Sequence, residues 1–276
     1  MENDSDVLLA HRLADLAGEL ALGFFGRRPA ARHKSDGSPV SEADLAVERA
    51  MLAVLAAERP GDGVLSEECG ALRTASRRRW ILDPIDGTIP FLAGARDWGT
   101  HVALEVGGEL RVAVLSRPTE GVRWWAVRDR GAFASTDGQP LSAARRLRVP
   151  GAAVPPAEAR VGGFLMPHSP VEPLRDRVRW VESLVCLVAD LLEGRADAVV
   201  DEGGHVWDRA PAALLVREAG GRVDDLCGGG RLDGRWLVYA AEGVADGLAG
   251  LLREAGVGGR RPAPPPAGPP GSAPLR

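Results

Sequence analysis

In Trp80-Ile81-Leu82-Asp83-Pro84-Ile85-Asp86-Gly87-Thr88, an apolar triplet runs into two carboxylates, a proline, a glycine and a hydroxyl. The triplet predicts a buried strand, and the acids a short loop at its end. Two carboxylates three positions apart repel each other unless a cation lies between them. Hard oxygen ligands of this kind suit Mg²⁺, which takes few carboxylates and leaves room for a substrate phosphate. Gly87 frees the backbone to approach a ligand closely. A helix beginning just after Gly87 and Thr88 would aim its free N–H groups at the same point and favour an anion there. Metal and phosphate meeting at one loop is the layout of a metal-assisted phosphatase.

Other acids fall where they can join this pair. Glu67 and Glu68 follow a short strand at Val64-Leu65-Ser66. Asp44 sits in the first turn of a helix expected from Ser41 through Leu55. Asp208, in His205-Val206-Trp207-Asp208-Arg209-Ala210, precedes a helical pattern over Arg209–Ala219. Singly, each has an ordinary structural reading: a solvated pair, a partner for the helix macrodipole, an N-cap. Taken with Asp83 and Asp86, they predict one metal site.

Composition sets bounds around that reading. The chain has 276 residues, 45% hydrophobic and 26% charged, enough for one large core or two lobes. A net charge of −4 gives no electrostatic case for nonspecific nucleic-acid or membrane binding. Lys34 is the single lysine among 34 basic residues, and a lysine kept in an arginine-rich chain hints at a need for a compact ammonium. Cys69, Cys186 and Cys227 are widely spaced, so no zinc or redox motif is expected. The acidic start of the chain does not read as an export signal, no apolar run reaches membrane-spanning length, and a cytoplasmic protein is expected.

Val7 to Phe25 is expected as a helix capped by Asp6, with Leu8, Leu9, Leu13, Leu16, Leu20 and Leu22 on its apolar face. Runs at His101–Glu105, Arg111–Ser116 and Val122–Val127 read as a β-meander, and Gly131-Ala132-Phe133 as part of a turn. The second half should carry strands at Arg160–Phe164, Ala196–Val200 and Trp236–Ala240. Helices are expected at Pro173–Val178, Leu184–Glu193, Arg209–Ala219 and Val244–Ala255. The implied division is an α+β half over 1–150 with most of the acids, an α/β half over 151–255 with Asp208, and a disordered Pro/Gly-rich tail over 256–276.

The order Glu67-Glu68, then Asp83-Pro84-Ile85-Asp86-Gly87-Thr88, then Trp207-Asp208 resembles the inositol monophosphatase superfamily, as does Lys34 to Asp44. Gly94-Ala95-Arg96-Asp97-Trp98-Gly99-Thr100 and Gly121-Val122-Arg123-Trp124-Trp125 are similar to its histidinol-phosphatase-like branch. The resemblance implies an α/β (α+β) fold built as a layered α-β-α-β-α sandwich, with two or three Mg²⁺ per site. It places Glu67, Asp83 and the Ile85 carbonyl on the first ion and Asp83, Asp86 and Asp208 on the second. A third ion would use Glu67 and a water near Asp44. Asp44, Thr88 and Glu67 form the implied catalytic group, and Asp86, Gly87 and Thr88 would hold the phosphate. Glu182, Ser183, Asp201 and His205 fall at substrate-facing positions. Inhibition by Li⁺ and a possible homodimer also follow from the resemblance.

Departures concern the substrate side. Ile89-Pro90 stands where polar residues are usual, Ser66 where Gly is usual, and Glu182-Ser183-Leu184-Val185 where small residues open the pocket. The expected activity is an Mg²⁺-dependent phosphomonoesterase using metal-activated water on a small polar ester such as histidinol phosphate, inositol phosphate or another sugar or cyclitol phosphate. Two alternatives stand beside it. One is a nucleotide 3′-phosphatase with a slot for a base at Trp98, Trp124 or Trp125. The other is a non-catalytic member that binds a phosphorylated ligand or a partner.

Overall fold

The computed structural model describes residues 2–182, 185–186, 188–227 and 230–257. Trp80, Ile81 and Leu82 are all fully buried, because their strand lies inside a sheet covered on both faces. Successive side chains of a strand point to opposite faces. Ile81 packs into one core with Ala103, Ala113 and Leu115; Trp80 and Leu82 pack into another with Val102, Leu104 and Val114.

This sheet has eight strands, in the order Arg145–Arg146, Gly131–Thr136, Val122–Val127, Glu109–Arg117, Gly99–Val106, Arg78–Asp86, Gly63–Ser66 and Gly70–Leu72. Neighbours are antiparallel except Arg78–Asp86 and Gly63–Ser66, which run parallel. The parallel pair sets Ser66 beside Leu82, so Glu67 and Asp83 leave the same end of the sheet.

Six α-helices are described: α1 (Glu2–Phe24), α2 (Glu42–Glu58), α3 (Thr88–Ala93), α4 (Ala189–Leu192), α5 (Val206–Glu218) and α6 (Glu242–Glu254). Helices α1 and α2 cover one face of the large sheet. Helix α5 covers the other and touches a second sheet of five strands, ordered Arg179–Glu182, Arg160–Phe164, Ala198–Glu202, Trp236–Ala240 and Arg222–Asp225. Helix α6 packs on the Trp236–Ala240 strand. The result is the expected layered α-β-α-β-α sandwich. Among the described residues, no helix is long and apolar enough to cross a membrane.

Several local expectations change. Asp6 is no cap: it lies inside α1, buried, and its carboxylate is satisfied by Arg59 at 3.3 Å and Arg78 at 2.9 Å. Leu9 and Leu13 are buried as expected, but the rest of the buried face of α1 is formed mainly by Ala10, Ala14, Ala17 and Ala21, whereas Leu8 is 58% exposed and Leu22 also faces solvent. Close packing on α2 and the sheet selects small side chains there. The helix expected at Pro173–Val178 is a 3₁₀ turn at Glu172–Asp176, and the strand Arg179–Glu182 follows it. Among the described residues of Leu184–Glu193, only Ala189–Leu192 is helical, and Cys186 has a left-handed backbone with φ +49°. Gly131-Ala132-Phe133 begins a strand, and Arg222–Asp225 is a strand the pattern did not reveal. Helix α5 starts at Val206, so Asp208 lies in its first turn rather than before it. The tail expected over 256–276 lies, from 258 on, outside the described residues.

Replacing Ala17 with Leu should overpack the α1 interface and destabilise the protein by about 1–3 kcal/mol. Leu8→Ala, on the exposed side, should change stability by less than about 0.5 kcal/mol. Urea unfolding of the two variants checks both values.

Candidate active site

A regular strand would send Asp83 and Asp86, three residues apart, to opposite faces. The structure avoids this with a register shift. Asp83 pairs with His101 and Asp86 with Gly99, so one residue of the Asp-Pro-Ile-Asp run is extra. Such a bulge re-aims the side chains that follow it. The acids therefore belong to the last residues of a nine-residue strand, Arg78–Asp86, rather than to a loop after it. Pro84 donates no backbone hydrogen bond, and its carbonyl accepts one from Thr100 Oγ at 2.9 Å.

Ligand atoms of Asp83, Asp86, His101 and Asp208 lie within 4.8 Å of one another. Asp83 is 1% exposed, and its Oδ1 has no hydrogen-bond partner among the described residues. Burial, and then the charges of Glu67, Asp86 and Asp208, raise its pKa well above the usual carboxylate range. Asp208 is held in the first turn of α5, where its Oδ2 accepts from His205 N at 2.7 Å. Burial, and next the charge of Asp86, push its pKa up to about 7. Asp86 behaves oppositely: burial would raise it, but the adjacent imidazole of His101, with Nε2 at 3.0 Å, holds it below the usual range. His101 is itself raised well above the ordinary histidine value, since Asp86 outweighs its burial.

Glu67 joins through its contact with Asp83. Lys34 Nζ lies 2.7 Å from Glu67 and 2.8 Å from Glu68, so the single lysine reaches the acids. Burial disfavours its charge, but these bonds outweigh burial and push its pKa up to about 12. Asp44 is anchored through Oδ2 by Ser41 N at 2.8 Å and Ser41 Oγ at 2.5 Å. Its Oδ1 accepts from Thr88 Oγ1 at 3.1 Å, which brings residues from α2 and α3 together at one point. Thr88 Oγ1 is also 3.4 Å from the Ile85 carbonyl. Gly87 has φ +90°, and a Cβ there would meet Val185 Cγ2 at 2.8 Å, so only glycine fits.

A cavity of about 530 Å³ opens over these groups and is lined by Glu67, Asp83, Asp86, Thr88, His205 and Asp208, among others. His205 stacks on Trp207 with ring centroids 4.7 Å apart. Ile89, Pro90, Phe164 and Val188 add an apolar wall, and among the described residues no lysine or arginine belongs to the lining.

Of the substrate-side residues, Asp201 reaches the cavity and Glu182 does not. Asp201 directs its carboxylate at the buried Arg209, with Oδ2 2.6 Å from Nε, and Gly204 N donates to its Oδ1 at 3.1 Å. Asp201 still lines the cavity, with both oxygens already accepting from Arg209. Glu182 is exposed, pairs with Arg175 at 3.2 Å and does not line the cavity. Ser183 and Leu184 lie outside the described residues. Trp98 and Trp124 are buried, Trp125 stacks on Phe133, and none of the three lines the cavity. Sequence reasoning missed His101, Cys186 and Arg117. Cys186 N donates to Asp86 Oδ2 at 3.1 Å, and Arg117 donates to the Val185 carbonyl at 2.7 Å, holding that segment against the site. A histidine within the apolar run 102–104 and its neighbours was the one local signal; Cys186 gave none.

The sequence matches the inositol monophosphatase family over residues 3–256. A Streptomyces griseus protein named glucose-1-phosphate thymidylyltransferase is 79% identical over 92% of this chain and 99% of its own length. The histidinol-phosphatase of Mycobacterium tuberculosis is 40% identical over 81% of this chain and 88% of its own. Among solved structures, the extragenic suppressor protein SuhB of Bartonella henselae superimposes with a TM-score of 0.81 at 26% identity, covering 91% of this chain and 99% of that one. The chain belongs to the inositol monophosphatase family and is a phosphomonoesterase.

Proposed function

We propose that the chain hydrolyses the phosphate monoester of a small molecule, with Mg²⁺ held by Glu67, Asp83, the Ile85 carbonyl, Asp86 and Asp208. The observation that carries this reading is the buried, unpartnered oxygen of Asp83 clustered with the carboxylates of Asp86 and Asp208. An ionised carboxylate without a partner is costly to bury, and hard oxygen donors crowded at one point fit a hard divalent ion. Such ions, when bound, lower the pKa of water and stabilise the oxygen of the leaving alcohol.

The chain's own groups supply the positioning. Thr88 donates its hydroxyl proton to Asp44 Oδ1, which leaves the Oγ1 lone pairs to accept from an attacking water. Ser41 fixes the other oxygen of Asp44, so the proton acceptor is oriented before substrate arrives. Backbone N–H groups at Gly87 and Thr88 border the same cavity and suit phosphate oxygens. No covalent phosphoenzyme is required.

The cavity narrows the substrate. It is large enough for a small ring system, and the stacked His205–Trp207 wall suits a planar or flat ring. This favours histidinol phosphate first, then a sugar or cyclitol phosphate. Among the described residues a second phosphate finds no lysine or arginine in the lining, and the imidazole of His101 is already engaged by Asp86, which disfavours the nucleotide 3′-phosphatase reading. The same gap disfavours nucleotidyl transfer, which must hold a triphosphate beside the sugar phosphate. A non-catalytic role has no use for the intact Asp44–Thr88 pair.

Purified protein with Mg²⁺ should release phosphate from histidinol phosphate, inositol 1-phosphate or glucose 1-phosphate. It should leave 3′-phosphoadenosine 5′-phosphate untouched and form no pyrophosphate from glucose 1-phosphate with thymidine triphosphate. Phosphate and pyrophosphate assays over this panel check it. Asp83→Asn should abolish turnover and metal uptake together. Thr88→Ala should lower kcat by roughly 10²-fold or more with metal affinity retained, as calorimetry and steady-state kinetics would show. A carboxyl whose folded pKa is raised lowers stability above its unfolded pKa, progressively as pH rises toward the folded value. Metal-free Asp208→Asn should therefore melt above the unsubstituted protein at pH 8, with the advantage fading toward pH 5. Thermal melts at both pH values measure it.

A further inference from the structure

Three donors of different chemistry meet on the cavity wall beside the acids. Asp86 ends one strand of the large sheet, His101 lies on the next, and Cys186 arrives from the segment before α4. Their ligand atoms fall within 4.8 Å of one another. His101 Nε2 is 3.0 Å from Asp86 Oδ2 and 3.6 Å from Cys186 Sγ, and both His101 and Cys186 are buried. Gly99 makes the approach possible, because a Cβ there would lie 2.6 Å from that sulfur.

A nucleophile triad is not what this builds. In a triad, the imidazole bridges acid and nucleophile through two different nitrogens. Here both partners face Nε2, and Nδ1 has no partner among the described residues.

Oxygen, nitrogen and sulfur around one point form instead the donor set of zinc-like ions. Zinc holds sulfur at about 2.3 Å and imidazole nitrogen at about 2.0–2.1 Å, which at a tetrahedral angle sets the two about 3.5 Å apart. The observed sulfur–nitrogen distance of 3.6 Å already has that spacing. The shorter nitrogen–oxygen distance is a hydrogen bond, which an ion replacing the shared proton would open by about 0.4 Å. The fourth position falls to water or, after a side-chain shift, to Asp83 or Asp208, which share a separate 4.8 Å group with Asp86 and His101 and of which Asp83 Oδ1 is buried and unpartnered.

We propose that Asp86, His101 and Cys186 form a site for a thiophilic divalent ion, zinc or cobalt, that draws Asp86 away from the hydrolytic set. Binding exchanges the thiol and imidazolium protons for the ion, so protons are released to solvent. Occupancy by zinc then opposes Mg²⁺-supported hydrolysis. That consequence rests on the phosphatase reading; the binding itself does not.

The test titrates Co²⁺ into the metal-free full chain and follows its absorption. One equivalent should give a thiolate-to-cobalt charge-transfer band together with the d–d bands of a four-coordinate ion, and Zn²⁺ should displace both. Cys186→Ser should lose the charge-transfer band. Cys186→Ser and His101→Gln should each weaken Zn²⁺ binding by at least the roughly tenfold that losing even an outer partner costs, with far-UV circular dichroism reporting the fold. Cobalt binding without a thiolate band, or zinc affinity unmoved by Cys186→Ser, overturns the proposal. Should the variants not fold, ¹¹³Cd NMR of the unsubstituted chain decides it. A downfield, thiolate-type resonance supports the site, and a resonance in the oxygen-donor range overturns it. Phosphate release under Mg²⁺, measured in parallel, judges the hydrolase reading separately, since its failure would leave the cobalt result standing.

Discussion

Glu67, Asp83, Asp86 and Asp208 are pressed into one seam where little water reaches them to dilute their charge. Repulsion at such short range and low dielectric is among the strongest unfavourable forces a folded chain can carry. Everything around the seam answers it. Lys34 reaches in from one side and His101 from another, yet the raised pKa values of Asp83 and Asp208 show the compensation is partial. The surrounding layers hold the acids where they would not otherwise stay. Two apolar cores, one on each face of the large sheet, supply that constraint, and the buried face of α1 lets helix and sheet approach closely.

Sequence patterns revealed the parts of this arrangement that are local. An apolar triplet followed by two acids, a proline and a glycine is readable because strand, bulge and turn lie within nine residues. Asp44 and Thr88 are local too: each sits in the first turn of its own short-range element. What stayed hidden is convergence. Nothing near Cys186 announces that it will meet Asp86, a hundred residues away. Arg209 reads as one more arginine in an arginine-rich chain, and its capture of Asp201 becomes visible only once α5 lies against the Ala198–Glu202 strand. The face of α1 was misjudged because leucines weigh more than alanines in any hydrophobic pattern, while a tight interface prefers the smaller side chain. Helices expected around Pro173 and Leu184 failed where alternation and a left-handed residue redirected the chain.

The substrate side follows a different logic from the metal side. The acids are fixed by the family's chemistry, whereas the wall of Ile89, Pro90, Phe164 and Trp207 is free to vary with the ester being held. Pro90 withdraws a donor from the α3 turn, and Arg209 occupies both carboxylate oxygens of Asp201 at the cavity wall. Both changes make the pocket less polar without touching the ligand atoms.

The parallel pairing of Gly63–Ser66 with Arg78–Asp86 delivers Glu67 and Asp83 from one sheet, while Asp208 rides on a helix wedged between that sheet and the next. No contiguous piece of chain therefore owns the acid cluster. A nascent polypeptide lacking its last third would present a half-ring of acids with weak hold on any ion. Completion of the acid cluster becomes a late event, coincident with closure of the middle layer, so an intact cluster certifies that maturation is complete.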